Sequence, residues 1–362
     1  MKRILYCMHI GWNWIKQRPH YIAIELSKHY DVTVISDHSY RVKAVSNSES
    51  ETDHLHIKEF YKIPLFDHVS SLSHINYYLR SLYYKYYIRT LRPEYVYVMK
   101  PQSVYALPKD LADSKLIYDC MDDMVAFAEN EVIRRKVFDA ERELIRRADV
   151  IFASSEHLKD ILIKRYQIGK DVPVIRNAYN GEILNEKYIK KSNADKEEFT
   201  LCYFGTVAEW FNFDFVLRSL NDIPNLSYLI VGPVQSGTSV PQYERLKYIG
   251  PVQHDDLPET VKDVDAFVMP FKVTKLIKSV DPVKLYEYIN FDKNILCVEY
   301  PEVERFKDFA YFYSDYESFK NQIQLMMSNR SPKYTNGQRI EFLNVNTWKK
   351  RVEAIQKCLE SL

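Results

Sequence analysis

Glycine is scarce in this sequence, with eight residues in 362, and the shortage excludes a class of cofactor site. The loop after the first strand-like segment holds one glycine, Gly11, so it is no G-x-G-x-x-G fingerprint, and a nicotinamide cofactor loses ground. Charge of one sign is also lacking: a formal net charge of +1 argues against a general nucleic-acid binder. No apolar run approaches 18 residues, and residues 1–10 alternate like a strand instead of forming a signal peptide, so a cytosolic protein is expected, free or at the inner face of the cell membrane. The five cysteines, Cys7, Cys120, Cys202, Cys297 and Cys358, are odd in number and widely spaced, which points to buried small hydrophobes and to neither disulfides nor a zinc site. Tyrosine is abundant, at 29 residues, but cores and sugar-binding or interfacial surfaces use it equally.

The hydrophobic share of 46% beside 27% charged residues is that of a soluble globular protein, and the length suits two domains. Residues 3–8, a helix from about Pro19 and residues 31–36 make a βαβ unit, hence a parallel sheet that binds ligands beyond the carboxyl ends of its strands. Residues 39–63 are polar and patternless and read as an irregular excursion. The segment INYYLRSLYYKYYIRTLRP at 75–93 reads as a helix ended by proline. Its Arg80, Lys85, Arg89 and Arg92, interleaved with aromatics and without an acid, suit an anionic membrane surface; the alternative is an ordinary amphipathic helix whose tyrosines are core. Strands at 95–99 and 115–119 follow, the second opening into YDCMDDMVAF, where Asp119, Asp122 and Asp123 stand at its carboxyl end. Asp122 could orient or deprotonate a hydroxyl, and aspartates there also make turns and caps. A polar stretch at 185–198 reads as a linker, after which a strand at 199–204 ending in Gly205 begins the same architecture again.

The segment 265–300 carries the chemistry. Two short apolar runs, 266–269 and 294–299, flank a helix for which Asp281 is the expected N-cap and Pro282 the expected first residue. Lys272, Lys275, Lys278 and Lys284 crowd that helix start, where free amides and a partial positive charge favour a diphosphate. Glu287, one turn in, is placed to accept hydrogen bonds from a ribose hydroxyl pair; otherwise the lysines are merely solvated and Glu287 is a surface residue. The D-x-D at 263–265 runs straight into an apolar strand, so a metal is not expected there.

PVKLYEYI at 282–289 followed by KNILCV at 293–298 resembles the donor-site segment of GT-B glycosyltransferases, the large retaining group that uses nucleotide sugars. WNWIKQRPH at 12–20 and the YDCMDD loop resemble a bacterial branch that builds cell-wall and capsular polysaccharide of the teichuronic-acid type, and RNAYNG at 176–181 resembles the segment between its domains. The resemblance implies an α/β protein of two Rossmann-like domains facing across a cleft, an acceptor domain over 1–180 and a nucleotide-sugar domain over 181–362, whose terminal helix, about 347–362, packs back on the first. It implies a metal-independent hexosyltransferase with a nucleotide sugar, a UDP-sugar first, as donor substrate, no further cofactor, and a saccharide or lipid-linked acceptor. Donor contacts fall on Gly205, Thr206, Gly232, Lys272, Lys278, Asp281, Pro282, Lys284, Leu285 and Glu287, acceptor contacts on Trp12, Trp14, Arg18 and Asp119, and catalysis on Asp122 and Lys272. Two departures stand out: the position where many relatives carry a sugar-binding glutamate is Ser279, and the loop GTVAEWFNFDF lacks the arginine and lysine that bind diphosphate. The rivals are a non-catalytic binding partner of a transferase and, behind it, a dinucleotide-dependent oxidoreductase or epimerase.

Overall fold

The computed structural model describes residues 1–13, 16–38, 52–63, 73–184, 189 and 196–362. Most of the 185–198 stretch read as a linker, and Trp14, lie outside them. The chain divides into two compact units, 1–177 with 348–362, and 178–347.

In the first unit, β1 (Arg3–Cys7), β2 (Asp31–Asp37), β3 (Leu55–Phe60), β4 (Tyr95–Val98), β5 (Lys115–Cys120) and β6 (Val150–Ala153) form one sheet in the order β3-β2-β1-β4-β5-β6, with every pair parallel. The second unit repeats it with β7 (Phe199–Phe204), β8 (Leu226–Val231), β9 (Leu246–Tyr248), β10 (Ala266–Met269), β11 (Asn294–Val298) and β12 (Tyr311–Tyr313), ordered β12-β11-β10-β7-β8-β9. Central strands such as β4, β10 and β11 are buried at every residue, because helices cover both faces of a parallel sheet, and they read in the sequence as short unbroken apolar runs. In each sheet the strand order reverses beside the first strand, between β1 and β4 and between β7 and β10, which is where open α/β sheets receive ligands.

The polar excursion expected at 39–63 is corrected in part: 55–60 is the edge strand β3, paired with β2 from Val32–Leu55 to Asp37–Phe60. With only its end residues buried, it has no apolar run to betray it. Residues 172–175 add only a single bridge to this sheet, Ala153 to Val174.

The helices are α1 (Arg18–Ser27), α2 (Ser73–Leu91), α3 (Glu131–Arg147), α4 (Glu156–Tyr166), α5 (Phe213–Asp222), α6 (Leu257–Val261), α7 (Val283–Asn290), α8 (Tyr316–Ser328), α9 (Asn336–Val345) and α10 (Trp348–Glu360). Their starts follow local chemistry: the side chains of Asn130, Ser155, Asn212 and Asp315 accept the first free amides of α3, α4, α5 and α8. Within the first unit α10 lies on α1, with the Trp348 and Tyr21 rings stacked at 5.6 Å and the Tyr95 hydroxyl donating to Leu359 O at 3.1 Å.

Helix α2 buries Tyr84 and Ile88 and packs Tyr83 and Tyr87 against the core, so several of its tyrosines are scaffold. Arg80 belongs to the scaffold too, because its guanidinium pairs with Asp37 at 2.7 Å and lies 4.5 Å from the Phe60 ring centroid. No helix among the described residues is long and apolar enough to cross a membrane.

Candidate functional site

In the second unit, β7 and β8 end in glycines held at left-handed backbone angles, Gly205 at φ +139° and Gly232 at φ +132°. The two turns lie edge to edge, with Gly205 N donating to Val231 O at 2.8 Å and Val207 N to Pro233 O at 2.9 Å. A Cβ on Gly232 would collide with the backbone carbonyl of Gly205, and one on Gly205 would collide with Cε and Nζ of Lys284. Both positions need glycine for close approach as well as for φ. The loop after β10 joins the same end of the sheet: Lys272 N donates to Trp210 O and Asn212 N to Pro270 O, each at 2.7 Å.

Lys284, in the first turn of α7, therefore lies across the Gly205 turn, with Nζ 5.9 Å from the Tyr203 ring centroid. No hydrogen bond or ion pair holds its ammonium among the described residues, and burial pushes its pKa down while Glu287, one turn on, pulls it up. At the same helix start the amide of Leu285 donates to Pro282 O at 3.2 Å, whereas those of Val283 and Lys284 meet no acceptor among the described residues. Two amides and one ammonium thus stand beside a glycine turn, the composition of a phosphate site. The half-buried carboxylate of Glu287 is close enough to Tyr179 and Tyr203 to help raise both phenols.

Three expectations at this helix are corrected. Asp281 does not cap α7: Pro282 occupies the cap position, and the Asp281 carboxylate is buried against the Arg305 guanidinium and the Tyr286 hydroxyl, the latter at 3.3 Å. Arg305 in turn donates to Tyr286 Oη and sits 4.1 Å from the Phe306 ring centroid, so Asp281 belongs to a buried knot under the helix. Leu285 is fully buried in the core and its amide is taken, which leaves it nothing to offer a ligand. Ser279 is buried with its hydroxyl on Leu276 O at 2.8 Å. Lys272, Lys278 and Thr206 are exposed around this end of the sheet. Because asparagine keeps one acceptor oxygen, puts an amide donor in place of the other and loses the charge, Asp281→Asn is expected to cost about 1–3 kcal/mol and to lower the melting temperature by about 3–10 °C in a thermal melt followed by circular dichroism. An unchanged melt would refute the knot.

In the first unit the carboxyl ends of β1, β4 and β5 carry the other group of expected residues. Arg18 and Asp119 are brought together, but by each other: Nη2 meets Oδ1 at 2.8 Å and Nε meets Oδ2 at 3.2 Å, with both side chains buried. Tyr97 donates to Asp119 at 3.0 Å and Arg18 reaches Ile175 O at 2.6 Å. The pair is a buried, saturated network, and the acceptor contacts expected of both residues are replaced by it. Asp123 is likewise engaged, with Arg165 in a fork at 2.6 and 2.7 Å. Trp12 is half-buried, its ring 5.2 Å from that of His20, which also accepts from Gln17 N at 3.1 Å.

Asp122 differs. Its carboxylate has no hydrogen bond or ion pair among the described residues, and burial pushes its pKa up, with Arg18 opposing and Asp119 and Asp123 adding to the rise. A carboxylate so placed can take or hold a proton. Sequence reasoning missed His9, in the loop after β1. Burial and Lys100 lower it to about 4, so it is neutral near pH 7, and its buried Nδ1 has no hydrogen-bond partner among the described residues. Its one signal was its position just beyond the first strand. No group of three or more His, Cys, Asp or Glu among the described residues is arranged to hold a metal ion.

No family model matches the chain. It is similar to a protein of Bacillus subtilis (strain 168) named as a teichuronic acid biosynthesis glycosyltransferase, TuaH, at 25% identity over 215 residues, which are 55% of this chain and 54% of that protein. The chain thus matches about half the length of that relative. Among solved structures it resembles sucrose-phosphate synthase from Thermosynechococcus elongatus, with a TM-score of 0.70 at 12% identity over 100% of this chain and 99% of the other. It also resembles Anabaena HepE in complex with UDP and glucose, with a TM-score of 0.71 at 15% identity over 100% of both chains. A third likeness is the lipopolysaccharide outer core galactosyltransferase WaaB, with a TM-score of 0.66 at 11% identity over 97% of this chain and 98% of that one.

Proposed function

We propose that this chain, which has the GT-B fold, is a glycosyltransferase that moves a sugar from a nucleotide diphosphate to a saccharide or lipid-linked saccharide acceptor in the synthesis of a bacterial surface polysaccharide. The observation that carries the reading is Lys284 lying across the Gly205 turn with two open helix amides beside it and Glu287 one turn further in. The ammonium and the amides suit the diphosphate, the glycine turns at 205 and 232 let a ligand approach the backbone, and the Glu287 carboxylate suits the ribose hydroxyls. As the sugar leaves, charge builds on the diphosphate, and groups fixed beside it before the reaction stabilise that charge without a metal. Lys272 and Lys278, exposed at the same end, add to the field. Asp122 is the candidate to orient or deprotonate the acceptor hydroxyl. A UDP-sugar is the donor to try first, since HepE holds UDP and glucose, and retention of configuration is what the resemblance of 282–298 to the retaining group implies.

The test is incubation of the protein with UDP-, GDP- and dTDP-sugars and detection of slow donor hydrolysis, with calorimetry for binding. Glu287→Ala is expected to weaken donor binding about tenfold to a hundredfold, the worth of charged hydrogen bonds of roughly 1.5–3 kcal/mol. Unchanged affinity in a folded variant would remove Glu287 from the site. A second reading, a non-catalytic nucleotide-binding partner, draws on Asp281 being engaged by Arg305 and on Ser279 standing where relatives have a carboxylate. Donor binding with no hydrolysis or transfer for any sugar would favour it.

A further inference from the structure

Helix α2 carries a row of exposed apolar and aromatic side chains, Ile75, Tyr78, Leu82 and Tyr86, at 40%, 64%, 45% and 61% exposure. Their spacing of three, four and four keeps them on one face, opposite buried Tyr84 and Ile88. The row leads to a groove of about 810 Å³ at the carboxyl end of the helix, lined by Lys85 and Arg89 of α2, by Arg92 just after it, and by Lys109 and Asp113 of the loop before β5. None of the four cations makes an ion pair among the described residues. Of the groove's acids, Glu94 is paired with Lys2 at 2.5 Å, while Asp110, which accepts from the Ala112 amide at 2.8 Å, and Asp113 keep their charge, so two carboxylates stand against four cations. The groove is therefore net positive.

We propose that this face of α2 is a docking surface for a bilayer of anionic phospholipid and that the groove takes a headgroup phosphate. Tyrosine rings with free tips settle at headgroup depth, leucine and isoleucine reach below it, and cations beside them meet anionic headgroups. An arginine fork fits phosphate oxygens. A protein partner is the weaker match, because the row carries no acid to pair with and its cations gather at one end. Geometry gives the docking a use. Nineteen residues of helix span roughly 28 Å, and α2 runs back past Arg80, which holds Asp37 at the carboxyl end of β2, to the groove beside Pro93 and Ser114, at the amino ends of β4 and β5. A bilayer along α2 thus runs from the rim of carboxyl ends, the rim on which β5 ends before Asp122, to the groove.

The whole chain should sediment with vesicles of phosphatidylcholine mixed with phosphatidylglycerol, should remain in solution with phosphatidylcholine alone, and should detach as salt rises. Each cation near such a surface contributes about fivefold in partitioning, so losing three costs about a hundredfold and the charge-reversed triple variant Lys85→Glu, Arg89→Glu, Arg92→Glu is expected to lose at least that. The variant Tyr78→Ser, Leu82→Ser, Tyr86→Ser should also release the vesicles, whereas Lys247→Glu, an exposed lysine of the second unit, should not. All these side chains are exposed, and a thermal melt confirms that each variant folds. Equal recovery with both vesicle types, or indifference to the charge reversals, would overturn the proposal. So would binding of glycerol phosphate without vesicle binding, which would make the groove a site for a soluble phosphate, or self-association that the serine variant abolishes. The measurement reads no sugar transfer, so its failure leaves the proposed activity standing.

Discussion

Lys284→Met is expected to lower the turnover of a nucleotide-sugar donor by a factor of about 10²–10³, the usual loss when one fixed donor to developing charge is removed. Methionine keeps the length and apolar stem, so the Gly205 turn stays filled and any loss belongs to the charge. Lys284 has no carboxylate bound to it among the described residues, so its removal leaves no buried partner stranded and the fold should hold. The effect should also depend on pH. Burial keeps the Lys284 pKa below its ordinary 10.5 in the free protein, and a diphosphate against the ammonium would pull it back up. Binding then takes up protons wherever the free ammonium is partly lost, and donor affinity weakens as pH rises through the free-protein value. Calorimetry in two buffers of different ionisation enthalpy reads that uptake directly. Turnover within a few-fold of the unaltered protein, or affinity flat across the alkaline range, would place the diphosphate elsewhere, with Lys272 and Lys278 the next candidates.

Arg18→Met is expected to destabilise the first unit by about 3–5 kcal/mol, because it leaves the fully buried carboxylate of Asp119 without its countercharge. The fork geometry matters here, since Nε and Nη2 each satisfy one oxygen and the remaining bond to Asp119 comes from Tyr97. Asp119→Leu in the same chain should recover much of the loss, as an apolar pair of similar volume avoids the desolvation that the ion pair demands. Denaturant unfolding of the two single variants and the double completes the cycle. If Arg18→Met is as stable as the parent but loses acceptor binding, Arg18 serves a ligand and the pairing is secondary.

The repeated α/β architecture was legible in the sequence because it rests on local patterns, short apolar runs such as 266–269 and 294–299 for strands buried on both faces. The segment that became β10, α7 and β11 could be placed for the same reason. The edge strand β3 escaped because one partner strand and an exposed face leave no apolar run. Periodicity, however, does not state what a charged side chain meets. Arg18 and Asp119 lie 101 residues apart, and Asp281 and Arg305 24 apart, so only the packed sheet turned candidate ligand groups into buried pairs. The same packing laid Lys284 across a glycine 79 positions earlier and left Asp122 and the Nδ1 of His9 without partners among the described residues. The sequence by itself determined where the strands buried on both faces and most of the helices form and at which strand ends a ligand is expected. The tertiary structure decided which charges neutralise one another and which stay open to a ligand, because burial and distance between remote residues set that balance.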